Sequence, residues 1–239
     1  MNGPARTLAH ETRLAFVGLN PGGDRYYPPK TSVETGSAYR RERWGKGNTL
    51  NPLQLQVRRL FDELAGKLGG DGAQLMDDTL AWNFCPFRSP SWDKLPNPKE
   101  SLAFSAELAS SVFAVCEPRA ILCLGAEVDR QIGAVLEKRG LQRIEAQKPP
   151  AGWGKVTYGL TRYAAGDRAV LVVRLPHLSR FGIFGRPASA AAVDRLTDAV
   201  AHAFESPSPD GPVEERTSQR NSQRQPPRGP SAEGLRPNR

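Results

Sequence analysis

Cysteine is scarce in this chain of 239 residues: there are three, Cys85, Cys116 and Cys123, and no CxxC pair among them. That spacing excludes the common zinc and dithiol motifs, and the apolar neighbours of Cys123 predict buried free thiols in a reducing compartment. No apolar run approaches the ~20 residues needed to span a bilayer, and Met1 to Arg13 lacks the apolar centre of a signal peptide. A soluble, cytoplasmic, monomeric protein without a membrane partner is the expectation. Histidine is equally rare, with three residues, and the chain has no HExxH, no GxSxG, no Walker lysine and no paired-carboxylate motif. Zinc proteases, serine hydrolases of the elbow type and P-loop enzymes are therefore excluded, and no metal and no cofactor is expected. There is no internal repeat.

Positive charge is abundant. Lys and Arg total 33 against 25 Asp and Glu, a formal charge of +8 at pH 7, with arginine predominating. Guanidinium groups fork onto phosphate oxygens better than ammonium groups do, so the balance favours a nucleic-acid partner without specifying one.

Four apolar runs predict strands over residues 13–19, 79–84, 120–124 and 169–175, with a possible extra strand at 155–163. Helical patterns separate them. Asn51 caps the first helix, Pro52 takes its first position, and Leu53, Val57, Leu60, Phe61, Leu64 and Leu68 make one stripe that ends at Gly69-Gly70. Further helices fit residues 101–115, 126–139 and 188–204. This alternation predicts an α/β fold, a three-layer α/β/α sandwich around a central, mainly parallel four-stranded sheet. The expected organisation is a flexible N-terminus over 1–12, a domain over 13–205 and a disordered basic tail over 206–239, where Pro, Ser, Gln and Arg dominate.

Three of the runs end in a polar side chain. Leu14-Ala15-Phe16-Val17-Gly18-Leu19-Asn20-Pro21-Gly22-Gly23 delivers Asn20, Thr79 to Arg88 delivers Asn83, and Ala169 to Phe181 delivers His177. The carboxyl edge of an open α/β sheet is where such proteins bind ligands. Taken singly, Asn83 reads as a residue that ties down its own loop, whereas Asn20, though Asn is a common turn former, is the only chemical side chain of its Gly- and Pro-flanked turn and reads first as functional. The long segment between the first strand and the first helix adds Tyr26, Tyr27, Tyr39 and Trp44, and the Arg40-Arg41-Glu42-Arg43 cluster flanked by the last two is the better of the basic clusters for DNA.

In that order, the three segments resemble the uracil-DNA glycosylase superfamily. Gly18-Leu19-Asn20-Pro21-Gly22 is similar to the water-activating motif of its mismatch-specific and single-strand-selective branches, Asn83 is placed like the base-reading Asn, and Leu178-Ser179-Arg180 resembles the DNA-penetrating loop. The family usually reads His-Pro-Ser before the Leu-Ser pair; here Pro176 precedes His177. Some branches hold an iron-sulfur cluster on four cysteines, which three cannot supply.

The resemblance implies a monofunctional glycosylase that excises uracil or a related deaminated or 5-substituted pyrimidine from DNA, leaving an abasic site. Asn20 and His177 become the catalytic pair. An amide has no useful proton affinity, so Asn20 orients a water while charge develops across the breaking bond, and His177 stabilises the departing base. Asn83 reads the uracil edge, since a carboxamide both donates and accepts. Trp44 stacks on the base and Leu19 joins the base-binding set. Ser179, Arg180 and Phe181 contact DNA, with Phe181 as an intercalating wedge. Gly22 stands where the founding branch has a Tyr that excludes 5-methyl groups, which implies a broader pocket. Two other readings stay open: a glycosylase-like domain that binds DNA or nucleotide without cleaving it, and a phosphate-binding metabolic enzyme that uses the Gly-rich turn.

Overall fold

The computed structural model describes residues 2–23 and 35–205. Tyr26, Tyr27 and the tail over 206–239 lie outside the described residues.

The described residues form eight strands and six α-helices, in the order β1 (Leu14–Gly18), α1 (Ala38–Arg41), α2 (Pro52–Leu68), α3 (Gly72–Asp78), β2 (Leu80–Asn83), α4 (Pro98–Val115), β3 (Ala120–Leu124), α5 (Ala126–Lys138), β4 (Gln142–Gln147), β5 (Pro150–Trp153), β6 (Val156–Thr157), β7 (Gly159–Ala165), β8 (Arg168–Leu175) and α6 (Ala190–Glu205). The main sheet has six strands in the order β2-β1-β3-β8-β7-β4. The first four are parallel to one another, while β7 pairs antiparallel with both β8 and β4. The fold is therefore α/β with a mostly parallel central sheet, and the sheet is wider than the four strands expected.

The four parallel strands are those that the apolar runs predict. Every residue of β1 is buried, because helices cover both faces. Leu14 and Phe16 point into one core with Leu60, Phe61 and Leu64 of α2, and Ala15 and Val17 point into the other with Phe113 of α4 and Ile132 of α5. Each such fully buried large side chain contributes about 1.5–3 kcal/mol. The ends of α2 follow from its sequence: the Asn51 side chain accepts from the Gln54 N–H, the Gln54 side chain accepts in return from the Asn51 N–H, Pro52 opens the helix, and Gly69 closes it at φ 73°.

The additional strands escape the apolar pattern for a physical reason. All six residues of β4, Gln-Arg-Ile-Glu-Ala-Gln, are exposed, so no alternation marks it. Its charges and the register shift between Arg143 and Glu145 suit an edge that must not recruit another strand. The expected extra strand over 155–163 divides: β6 pairs only with β5 in a separate ribbon, and β7 joins the main sheet.

Residues 2–12 are a second correction, because they are tied to the domain and not a free terminus. The Asn2 N–H donates to Ala81 O at 2.7 Å and Asn2 O accepts from the Ala38 N–H at 2.8 Å, which covers the otherwise open edge of β2. Thr7 is buried, and its carbonyl accepts from the Thr12 hydroxyl. All three cysteines are buried free thiols. Among the described residues no helix is long and apolar enough to cross a membrane.

Strand order locates the crevice. The chain leaves β1 toward β2 on one side and leaves β3 toward β8 on the other, so the carboxyl ends of β1 and β3 flank a topological switch point, the usual ligand position in open α/β sheets.

Candidate functional site

Two strand ends build the first half of the site. Gly18 of β1 lies in register with Asn83 of β2, and the turns that follow remain joined by main-chain bonds: Phe84 N–H to Gly18 O, Cys85 N–H to Leu19 O, and Ser89 N–H to Pro21 O, at 2.8, 2.8 and 3.1 Å. Asn20 completes this seam. Its amide nitrogen donates to Pro21 O at 3.2 Å and to Ser89 O at 3.4 Å. With both amide hydrogens engaged, the Asn20 oxygen keeps its lone pairs for another donor. Asn20 can therefore hold a water or a hydroxyl but cannot remove its proton.

Asn83 is half-buried, and its side chain lies across Gly18 so closely that a Cβ there would stand 2.5 Å from the Asn83 oxygen. Glycine at 18 is thus a steric requirement of the Asn83 position. Leu19 is half-buried against the core on the α4 side. Arg88, which the sequence reading passes over, donates to Gly22 O and covers Gly23, whose φ is 98°. It closes the outer rim of the same seam.

Trp44 sits on the α2 side, held by sequence-local contacts. Its N–H donates at 2.9 Å to the Gln54 side chain, which is fully buried and also donates to Glu42 O. Trp44 is 39 % exposed, and its ring meets Tyr39 edge-on, with centroids 5.0 Å apart; Tyr39 in turn meets Phe16 of β1 at 5.3 Å. One aromatic row therefore runs from surface to core. Of the ring candidates in the described part of the loop, Tyr39 is a core residue, its hydroxyl pushed far up by burial, and Trp44 is the one with a free surface. The neighbouring arginines are anchored: Arg40 pairs with Asp77, Arg43 donates to the Arg40 and Glu42 carbonyls, and Arg58 donates to Tyr39 O.

The loop after β8 forms the second half. Leu178, Ile183 and Phe184 are buried and pin it to the core, whereas His177, Ser179 and Arg180 are exposed between the pins. Gln56 of α2 clamps the loop: its side chain donates to Phe184 O at 3.0 Å and accepts from the Phe184 N–H at 2.9 Å. His177 Nδ1 and the Ser179 hydroxyl are 2.8 Å apart. Partial desolvation and the adjacent Arg180 charge hold the His177 imidazole below its ordinary range, which favours the neutral ring. Phe181 is half-buried and packed edge-on against Trp153 at 6.1 Å, so it is part of a surface cluster and does not project as a free wedge.

Asn20 and Asn83 thus stand at the ends of adjacent strands, whereas His177 follows β8, two strands from β1, where the strand axes are roughly 10 Å apart at about 4.8 Å per strand. A cavity of about 560 Å³ borders the β8 loop, lined by Glu63, Ile183, Gly185, Arg186 and Asp194 among others, and includes neither Asn. Sequence reasoning also missed Asp129 in the first turn of α5, where burial pushes the carboxyl above its usual range against the pull of Arg174, Lys148 and Arg143. It missed Gln56 and Trp153 as well. A lone polar residue in an apolar helical stripe, and a Trp between two glycines, were the available signals.

No protein-family model matches this chain, and no curated protein matches it.

Proposed function

We propose that this protein is a monofunctional DNA glycosylase that hydrolyses the N-glycosidic bond of uracil or a related pyrimidine. One observation carries the reading: two carboxamides stand at the carboxyl ends of adjacent parallel strands beside the switch point, joined by a hydrogen-bonded seam. Asn83 has donor and acceptor functions that match the edge of a flipped uracil and oppose that of cytosine. Asn20, with its amide nitrogen tied back, offers one fixed acceptor to an attacking water. Such a preorganised dipole stabilises charge as the sugar becomes positive and the base leaves negative. Trp44 is the ring that would stack on the base. No lysine lies in the three strand-end motifs, which favours water over an amine as nucleophile.

Among the described residues a Cβ at Gly22 would meet nothing within 4 Å, which supports a pocket open to substituents at C5. The chain is incubated with oligonucleotides carrying uracil, 5-hydroxymethyluracil, thymine opposite guanine, or cytosine, and abasic sites are detected by alkaline cleavage. Excision of uracil and of at least one 5-substituted base is expected. Intact strands in every case would leave the second reading, a domain that binds DNA without cutting. The exposed position of His177, bonded to Ser179, favours that reading.

A further inference from the structure

The ribbon formed by β5 and β6 has no part in the site described so far, yet it is built against it. Its tip is Trp153-Gly154-Lys155, and Gly152, at φ 72°, lies so close to the turn entering α6 that a Cβ there would stand 2.1 Å from Ala188 O. No side chain fits between them. The ribbon is therefore seated flush on the segment that follows the β8 loop.

This seating assembles a surface from two distant pieces of chain. The Arg186 guanidinium carbon lies 4.3 Å from the centroid of the Trp153 ring, and the Phe181 ring meets Trp153 at 78°. Arg180 and Lys155 are exposed beside them. Neither residues 150–157 nor residues 176–189 contain a single Asp or Glu, while they supply Lys155, Arg180 and Arg186. Glu63 and Asp194 line the same cavity as Arg186, and Asp194 is already paired with Lys67. Charge supplied by these two segments is of one sign and lies beside aromatic rings.

We infer that the β5–β6 ribbon and the β8 loop together form a docking surface for the sugar-phosphate backbone of a nucleic-acid strand, a reading that rests on a nucleic acid being the substrate. Arg186 and Arg180 face phosphates, Lys155 extends the track, and Trp153 packs against a sugar or an unstacked base. Aromatic rings interleaved with basic side chains are the general means of holding a strand without reading its sequence. The contact with Trp153 holds the Arg186 fork in place before binding, so less side-chain freedom is lost when a phosphate arrives. Through the contact of Trp153 with Phe181, the track adjoins the loop that carries His177.

The test measures binding of the full chain to uracil-free single- and double-stranded oligonucleotides by fluorescence anisotropy at several salt concentrations. The Lys155→Ala/Arg186→Ala variant should bind about tenfold more weakly at low salt. Its plot of log affinity against log salt should flatten by about two units, one for each phosphate that is no longer neutralised. Trp153→Phe keeps the packing and should weaken binding less than Trp153→Ala. A control that removes the same charge at the opposite edge, Arg13→Ala/Lys138→Ala, should leave the slope unchanged. An equal weakening in the control, an unaltered slope in Lys155→Ala/Arg186→Ala, or no binding by the unaltered chain would each overturn the inference. Should the expected pattern appear in a protein that never releases uracil, the docking surface stands and the glycosylase reading falls.

Discussion

The two halves of the candidate site are held in different ways. At the ends of β1 and β2 the functional side chains sit on a seam of main-chain hydrogen bonds that continues the sheet register past the last paired residues, and Asn20 is tied into it through its own amide. After β8 the loop has buried anchors instead: Leu178, Ile183 and Phe184 fill the core while Gln56, from a helix 128 residues earlier, clamps Phe184. In the proposed reaction the first arrangement fixes the atoms that meet the substrate. The second fixes a platform and leaves His177, Ser179 and Arg180 facing outward. Catalysis is therefore expected to depend on the seam, and binding on the platform.

The largest effect should come from Asn20→Ala, which removes the acceptor but leaves the main-chain seam intact. Single-turnover excision should fall about 100-fold or more while DNA affinity changes little, the cost typical of losing one preorganised group at a developing charge. Comparable losses in rate and affinity would erase the contrast between the two halves.

Gln56→Ala attacks the platform. It leaves the buried Phe184 N–H without a partner, whereas Phe184 O keeps the bond from Arg59 at 3.1 Å. One such orphaned donor costs about 1–3 kcal/mol, readable as a lower urea midpoint. Strand affinity should fall with it, and the cleavage rate at saturating DNA should not.

Gly18→Ala sharpens the first half alone. The new methyl would collide with the Asn83 oxygen and turn that side chain, so preference for uracil over cytosine should decline by on the order of tenfold with the fold retained. Unchanged selectivity would place Asn83 outside base recognition.

The smallest effect is electrostatic. Since the folded state holds the His177 pKa below its unfolded value, its neutral form is favoured on folding. The associated stability is complete above the ordinary histidine range and is lost as pH falls through the lowered pKa. Proton NMR titration should show a midpoint below the ordinary 6.5, and Arg180→Ala should move it part of the way back, leaving the desolvation component.

Several elements were legible without coordinates because their signals are local. β1, β2, β3 and β8 announce themselves by apolar runs, α2 by its stripe and caps, and Asn20 and Asn83 by standing where such runs stop. β4 left no trace, because an edge strand exposed along its whole length needs no apolar alternation. Residues 2–12 read as a polar terminus, although their backbone bonds, which any sequence can make, attach them to β2.

By itself the sequence determined the parallel core and the identity of the strand-end side chains, since burial on both faces and chain reversal each impose their own residue types on a short stretch. Only the tertiary structure decided which of those side chains meet. Strand order makes Asn20 and Asn83 neighbours and sets His177 two strands away. The same folding lays Trp153 beside Arg186 and Gln56 under Phe184, pairs that no local pattern can encode because their partners are chosen by packing between segments far apart in the chain.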